Sequence, residues 1–121
     1  MSKLICIDFD GVLHSYTSPW VNESHIPDPP VDGAVEFVRD LFANGCKVAI
    51  FSTRNSSPDA IPAMKEWLIQ YGLESSLAER ITFPLNKPAF GSLFIDDRGY
   101  HFTGTFPSIE YCKTFQPWNK R

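Results

Sequence analysis

The stretch LICIDFDGVLH, residues 4–14, decides the fold, because it joins an apolar run to two aspartates and a glycine. Residues 4–7 are continuously apolar, which predicts a strand covered on both faces. Asp8 and Asp10 follow at once, and side chains two positions apart along an extended chain point to the same side. Two acids where a buried strand ends repel each other and resist desolvation, so a compensating group is expected nearby.

The composition is that of one globular domain. The chain has 121 residues, of which 43% are hydrophobic and 21% charged, and its formal net charge is −3. A single domain most often holds roughly 100–150 residues, so residues 1–121 are taken as one domain. The acidic balance gives no overall attraction to nucleic acid or to an anionic membrane.

Sequence features that report on location point to the cytoplasm. The first residues lack a basic segment followed by a long apolar stretch, and no apolar run approaches the ~20 residues that span a bilayer. The three cysteines match neither a disulfide framework nor a zinc-binding spacing. We therefore expect a cytoplasmic protein without a membrane partner.

Short apolar runs alternate with segments of helical periodicity, which predicts an α/β fold with a central parallel sheet and helices on both faces. Four prolines make residues 11–32 an irregular flap loop, and residues 116–121 form a tail. The predicted elements are strands at 4–7, 47–51, 80–83 and 92–95, helices from Asp32 to Asn44, from Ser57 to Gly72 and at 74–79, and a short strand and a short helix within 100–115.

Polar residues follow the ends of several predicted strands. They are Asp8, Asp10, Ser52, Asp96 and Asp97. Ligands of parallel α/β sheets bind beyond the carboxyl ends of the strands, so these side chains should converge although up to 89 positions separate them. Four carboxylates cannot all stay ionised together without a cation, and oxygen-only ligands favour Mg²⁺.

A lysine and a hydroxyl complete a site for a phosphoryl group. Lys87 stands on the loop before the last predicted strand, and Ser52 follows the second strand. The metal and Lys87 would neutralise phosphoryl oxygens, Ser52 would donate to one of them, and a carboxylate would attack phosphorus.

These residues form four motifs whose order along the chain resembles that of the haloacid dehalogenase (HAD) superfamily of phosphatases. Asp8-Phe9-Asp10-Gly11 is similar to the family's DxDG, and Ser52-Thr53-Arg54 to its S-G-R, with Thr53 in place of glycine. Lys87 matches the third motif and Asp96-Asp97 the fourth. The resemblance implies a three-layer α/β/α Rossmann-like fold and hydrolysis of phosphomonoesters through an aspartyl-phosphate.

The resemblance also implies a role for each matched residue. Asp8 would be the nucleophile and a metal ligand, and Asp10 the general acid and base, with its backbone carbonyl on the metal. Ser52 and Lys87 would hold the phosphoryl oxygens, together with Thr53 and Arg54 as substrate-binding residues. The resemblance implies that four aspartates form the metal site, namely Asp8, Asp10, Asp96 and Asp97. Within the pair Asp96-Asp97, Asp97 would bind the metal directly, and Asp96 would bind Lys87 or a metal-bound water.

The gaps between the motifs are too short for a cap domain, so the chain resembles the capless members of the family. An open site admits a macromolecular end, and a neighbouring subunit that covers it would favour small phosphorylated molecules. The stretch IDDR, residues 95–98, is similar to the phosphatase domain of phage polynucleotide kinase-phosphatase, which makes a 3′-phosphatase of nucleic acids or a nucleotidase an alternative.

Other interpretations remain open at this point. A bacterial receiver domain has a similar length, a parallel sheet, clustered acids, a hydroxyl residue and a lysine. In receiver domains, however, the phosphorylated aspartate ends a middle strand and the lysine lies near the chain's end. A phospholigand-binding protein on the same fold would be expected to lack Asp8 or Asp10. Arg54 and Arg98 could touch substrate or pair with a carboxylate, and His14 could contact substrate or pack in the flap loop.

Overall fold

The computed structural model describes residues 2–120, which form a mixed α/β fold around a small parallel sheet. The sheet has three strands in the order β2-β1-β3. The elements in chain order are β1 (Leu4–Ile7), α1 (Ala34–Ala43), β2 (Lys47–Ile50), a 3₁₀ turn (Thr53–Ser56), α2 (Ala60–Gln70), α3 (Ser75–Ala78), β3 (Leu93–Ile95), α4 (Ile109–Thr114) and a second 3₁₀ turn (Trp118–Lys120).

The core lies where β1 and β2 meet the first two helices. Side chains with no exposed surface come from all four elements. The larger ones are Ile7 of β1, Val38 of α1, Ile50 of β2, and Met64 and Leu68 of α2. Continuous apolar strands are expected where both faces are covered, and β1 and β2 meet that expectation.

The third predicted strand, at 80–83, is wrong. This segment reaches the sheet only at an isolated bridge, in which the Thr82 N–H donates to the Val48 carbonyl at 3.2 Å and the Ile50 N–H to the Thr82 carbonyl at 2.8 Å. Pro84 follows closely and has no N–H to give, so the pairing does not extend.

The strand predicted at 92–95 is present as β3, but it is not buried. It lies at the edge of the sheet, where Leu93 is 52% and Phe94 39% exposed. The apolar run therefore predicted the strand correctly, but the prediction that this strand is buried is wrong.

Helix boundaries differ from the predictions by a few residues. Asp32 does not cap α1, because Gly33 occupies the cap position with a left-handed φ of 84°. α2 begins at Ala60 rather than after Ser57, since the 3₁₀ turn Thr53–Ser56 uses the preceding residues. The short helix at 74–79 and the final helix within 107–115 are confirmed, whereas the strand expected within 100–106 is absent from the described residues.

Among residues 2–120 no helix combines the length and the apolar character needed to cross a membrane. The helices that the structure describes are short, the longest being α2 with 11 residues.

Candidate functional site

The three strands end at the same level, which brings their following residues together. Ile7 is in register with Ile50 on one side and with Ile95 on the other. The backbone continues the ladder by one step, because the Asp8 N–H donates to the Ile95 carbonyl at 2.9 Å. Residues 8, 51 and 96 therefore leave the sheet side by side, as the rule for parallel sheets predicts.

A cavity of about 470 Å³ opens at this edge of the sheet. Most of the predicted site residues line it, and additional lining residues come from the flap loop and from the end of the described chain. The predicted residues on its wall are Asp8, Asp10, Ser52, Thr53, Lys87, Asp96 and Asp97.

Asp8 and Asp97 face each other in this cavity. Burial, followed by the hydrogen bond that the two carboxyls share, raises the pKa of Asp8 from its usual 3.8 to about 7. Gly11 permits this approach: its φ is 83°, and a Cβ at this position would collide with Asp97 Oδ2. The Phe9 N–H donates to Asp8 Oδ1 at 2.8 Å and fixes the orientation of the carboxylate.

Asp10 is held by two buried basic side chains. Arg54 forms a bidentate pair with it, with Nε to Oδ2 at 2.8 Å and Nη2 to Oδ1 at 3.0 Å. His14 Nδ1 lies 2.8 Å from the same Oδ1. Burial alone would raise the pKa of Asp10, but the hydrogen bonds from His14 and Arg54 outweigh it and hold this pKa below its usual value. Asp10 is therefore an ionised carboxylate here.

The proton on His14 can be assigned from its neighbours. The Asp28 N–H donates to Nε2 at 3.1 Å, so Nε2 is an acceptor and Nδ1 carries the hydrogen that Asp10 accepts. His14 has no exposed surface and stacks on Phe9. Of the two roles open to His14, its contacts favour packing within the flap loop.

Arg54 anchors the flap loop to Asp10. Its Nη1 donates to the carbonyls of Asn22, Glu23 and His25, and its side chain is 1% exposed. Arg54 is not among the residues that line the cavity. Of the two roles open to Arg54, these contacts favour pairing with a carboxylate, because the guanidinium is bonded to Asp10 and to the loop, and its predicted contact with substrate stays a prediction.

The two aspartates that follow β3, Asp96 and Asp97, make different contacts. Asp96 Oδ1 accepts from the N–H groups of Arg98 and Gly99, at 2.7 and 2.6 Å, and so shapes the turn. Asp97 instead faces Asp8. The geometry therefore agrees with Asp97 as the member of the pair that would bind a metal directly.

The two predicted phosphate-binding side chains both reach the cavity. Ser52 is buried, and its Oγ accepts from the Arg54 N–H at 3.1 Å, which leaves its hydroxyl hydrogen for another acceptor. Lys87 is exposed, with Nζ 5.0 Å from the centre of the Phe94 ring. Lys87 forms no ion pair among the described residues, so its predicted contact with Asp96 stays a prediction.

The donor set fits a hard cation. Asp8 and Asp97 offer carboxylate oxygens, and within residues 2–120 Asp97 Oδ1 is buried without a hydrogen-bond partner. The described residues contain no group of three His, Cys, Asp or Glu side chains placed to hold a metal. Mg²⁺ usually keeps several waters and takes only one or two carboxylates from the protein, so a facing pair is sufficient.

Sequence reasoning missed the residues that close the cavity from other parts of the chain. These are Tyr16 of the flap loop, Phe94 of β3, and Asn119 and Lys120 of the second 3₁₀ turn. Only Tyr16 has an unusual backbone, with a φ of 56°. Nothing local in the sequence distinguishes the others from surface residues.

The raised pKa of Asp8 predicts how the stability of the metal-free protein depends on pH. Between about pH 4 and 7 the folded state keeps a proton that the unfolded state releases, so stability falls as the pH rises through this window. Asp8→Asn has no such proton. We expect it to raise Tm by roughly 5 °C or more at pH 8 and by less at pH 5, measured by thermal unfolding in chelator.

The matched control for this measurement is Asp40→Asn, which changes an exposed aspartate of α1 outside the cavity. Its Tm should stay near that of the unchanged protein at both pH values. An Asp8→Asn protein that is no more stable at pH 8 would show that Asp8 is not electrostatically strained.

Comparisons with known proteins bear on the fold. No protein-family model and no curated protein matches the chain. The structure is similar to that of a conserved protein from Bacteroides thetaiotaomicron, with a TM-score of 0.58 and 22% sequence identity over 93% of this chain and 91% of that one. At this level of identity the likeness shows the fold alone.

Proposed function

We propose that the protein is a Mg²⁺-dependent phosphomonoester hydrolase with a capless, three-layer HAD-type fold. The observation that carries the proposal is the meeting of Asp8 and Asp97 in one cavity with Ser52 and Lys87. Two carboxyl groups that face each other in a partly buried site are suited to binding a cation, because a cation would offset their mutual repulsion. Mg²⁺ held by Asp8 and Asp97, and by the backbone carbonyl of Asp10 as the family resemblance implies, would neutralise charge on the phosphoryl oxygens.

In the first step an Oδ of Asp8 attacks phosphorus and forms a P–O bond to the protein. The bond from phosphorus to the ester oxygen breaks, and that oxygen leaves with the electron pair and takes up a proton from the Asp10 carboxyl, which is left as a carboxylate for the second step. Ser52 donates a hydrogen bond to one phosphoryl oxygen, and Lys87 offsets the charge of the others.

In the second step Asp10 acts as a base. It takes a proton from water, the water oxygen attacks phosphorus, and the bond to Asp8 breaks, which releases phosphate and restores the Asp8 carboxylate. The ionised state of Asp10 supports this half of its role. The acid half needs a protonated Asp10, and a phosphoryl dianion bound beside Asp10 would raise its pKa in that direction.

The cavity is large enough to hold a small phosphorylated group. Its volume of about 470 Å³ lies within the range of small-molecule sites. Small phosphorylated molecules and phosphorylated macromolecular ends both remain substrates to be tested, including nucleotides and nucleic-acid 3′-phosphates.

The proposal is tested by measuring phosphate release from a panel of sugar phosphates, nucleotides, 3′- and 5′-phosphorylated oligonucleotides and aryl phosphates. We expect at least one compound to be hydrolysed with Mg²⁺, chelator to reduce the rate to background, and added Mg²⁺ to restore it. Hydrolysis that continues unchanged in chelator would contradict the metal requirement. Tight binding of a phosphorylated compound without any hydrolysis would favour a phospholigand-binding protein instead.

A further inference from the structure

The second 3₁₀ turn, Trp118–Lys120, lies against the acidic end of the cavity. Trp118 Nε1 donates to the Gly11 carbonyl at 2.7 Å, a contact across 107 positions of the chain. Lys120 Nζ lies 4.9 Å from the centre of the Tyr16 ring. These two contacts hold the turn against the residues that follow Asp10, and Asn119 lies between them.

The side chain of Asn119 is buried without a hydrogen-bond partner among the residues that the structure describes. Both polar atoms of its side chain, Nδ2 and Oδ1, are buried and unpaired within residues 2–120. Nδ2 lies 3.6 Å from the position of a Cβ at Gly11, the same position that Asp97 Oδ2 crowds. Buried polar atoms are nearly always paired, so two unpaired atoms on one amide are available to bind a ligand or a water.

The orphaned atoms at this end of the cavity form a complementary set. Asp97 Oδ1 and the Asn119 carbonyl oxygen need donors, and the Asn119 amide needs an acceptor. Exchanging the amide nitrogen and oxygen leaves the set unchanged, because both atoms lack partners. A hydrated cation supplies donors and a phosphoryl group supplies acceptors, so the two together would satisfy all three atoms.

We propose that Asn119 is a ligand-binding residue of this site. Its amide N–H donates to a phosphoryl oxygen, and its carbonyl oxygen accepts from a water that hydrates the cation between Asp8 and Asp97. Trp118 is the positioning residue that sets Asn119 in place. This inference rests on the proposed function, since it requires a phosphoryl group and a cation in the cavity.

The test is calorimetric titration with Mg²⁺ alone, and with inorganic phosphate at saturating Mg²⁺. Asn119→Ala removes the donor and should weaken phosphate binding about 10-fold. Asn119→Asp keeps the shape but places an acid beside Asp97, so it should tighten Mg²⁺ binding about 3-fold and weaken phosphate binding more than 10-fold. Opposite changes for the two ligands are not expected of a merely structural residue.

The controls separate this inference from loss of folding. Asn44→Ala changes an exposed asparagine at the end of α1 that does not line the cavity, and should leave both affinities unchanged. Trp118→Phe keeps the ring but removes the bond to Gly11, and should weaken phosphate binding about 3-fold with Asn119 intact. If an Asn119 variant fails to fold, the phosphate affinity of the Trp118→Phe protein still tests the inference.

The results separate failure of this inference from failure of the proposed function. If the unchanged protein binds Mg²⁺ and phosphate, and the Asn119 and Trp118 variants bind both equally well, the inference is wrong and the proposed function stands. A resident water would then be the partner of Asn119. If the unchanged protein binds neither Mg²⁺ nor phosphate and hydrolyses no compound of the panel, both the proposed function and this inference fall.

Discussion

We expect Asp8→Asn to abolish phosphate release while the protein keeps its fold, with a loss on the order of 1,000-fold or more. The amide has nearly the shape of the carboxylate but is a far weaker nucleophile, and it also withdraws one charge from the pair that would hold Mg²⁺. The measurement is phosphate release from the best compound of the panel, with circular dichroism to confirm folding.

The Asp8→Asn substitution is expected to change stability as well as activity. Because the pKa of Asp8 is raised to about 7, the same substitution that removes activity should stabilise the metal-free protein at pH 8. A fully active Asp8→Asn protein would remove Asp8 as the nucleophile. Asp40→Asn serves again as the control and should keep full activity.

Arg54→Ala should be among the most destabilising single substitutions in this chain. The buried guanidinium neutralises Asp10 and ties three carbonyls of the flap loop, at Asn22, Glu23 and His25. Its loss leaves the Asp10 carboxylate without its main partner in a partly buried position. We expect the free energy of unfolding to fall by about 3–5 kcal/mol, measured by urea denaturation.

Arg39→Ala is the matched control, since Arg39 also pairs with an acid but at the surface. Its Nε lies 2.9 Å from Glu74 Oε1, and the side chain is 37% exposed. Exposed pairs contribute little, so the expected loss is below about 1 kcal/mol. Arg54→Lys should fall close to Arg54→Ala, because lysine keeps the charge but not the bidentate geometry. Equal stability of the Arg54→Ala and Arg39→Ala proteins would contradict the anchoring role.

The parts of the fold that were predictable from sequence are those with a local signal. The apolar runs of β1 and β2 mark two buried strands correctly, and the same runs place Asp8 and Ser52 beyond the strand ends. At 80–83 the run is similar, but Pro84 stops the ladder after one bridge. β3 is a true strand whose exposure depends on its edge position, which a local pattern does not contain.

The contacts that shape the site are mostly long-range, and this is why the sequence did not identify the partners of these side chains. Arg54 meets Asp10 across 44 positions, and Trp118 meets Gly11 across 107. An arginine after a strand and a tryptophan near the end of the chain each have many possible surroundings. Only the folded arrangement identifies Asp10 as the partner of Arg54 and brings Asn119 to the acidic pair.

The central claim, phosphoryl transfer to Asp8, is tested most directly by trapping the intermediate. Borohydride reduces an acyl phosphate to an alcohol, so a reaction quenched with it converts a phosphorylated aspartate to homoserine, which peptide mass spectrometry locates. We predict homoserine at position 8 only when substrate and Mg²⁺ are both present. Steady hydrolysis with an unmodified Asp8, or homoserine at a different carboxylate, would contradict the claim.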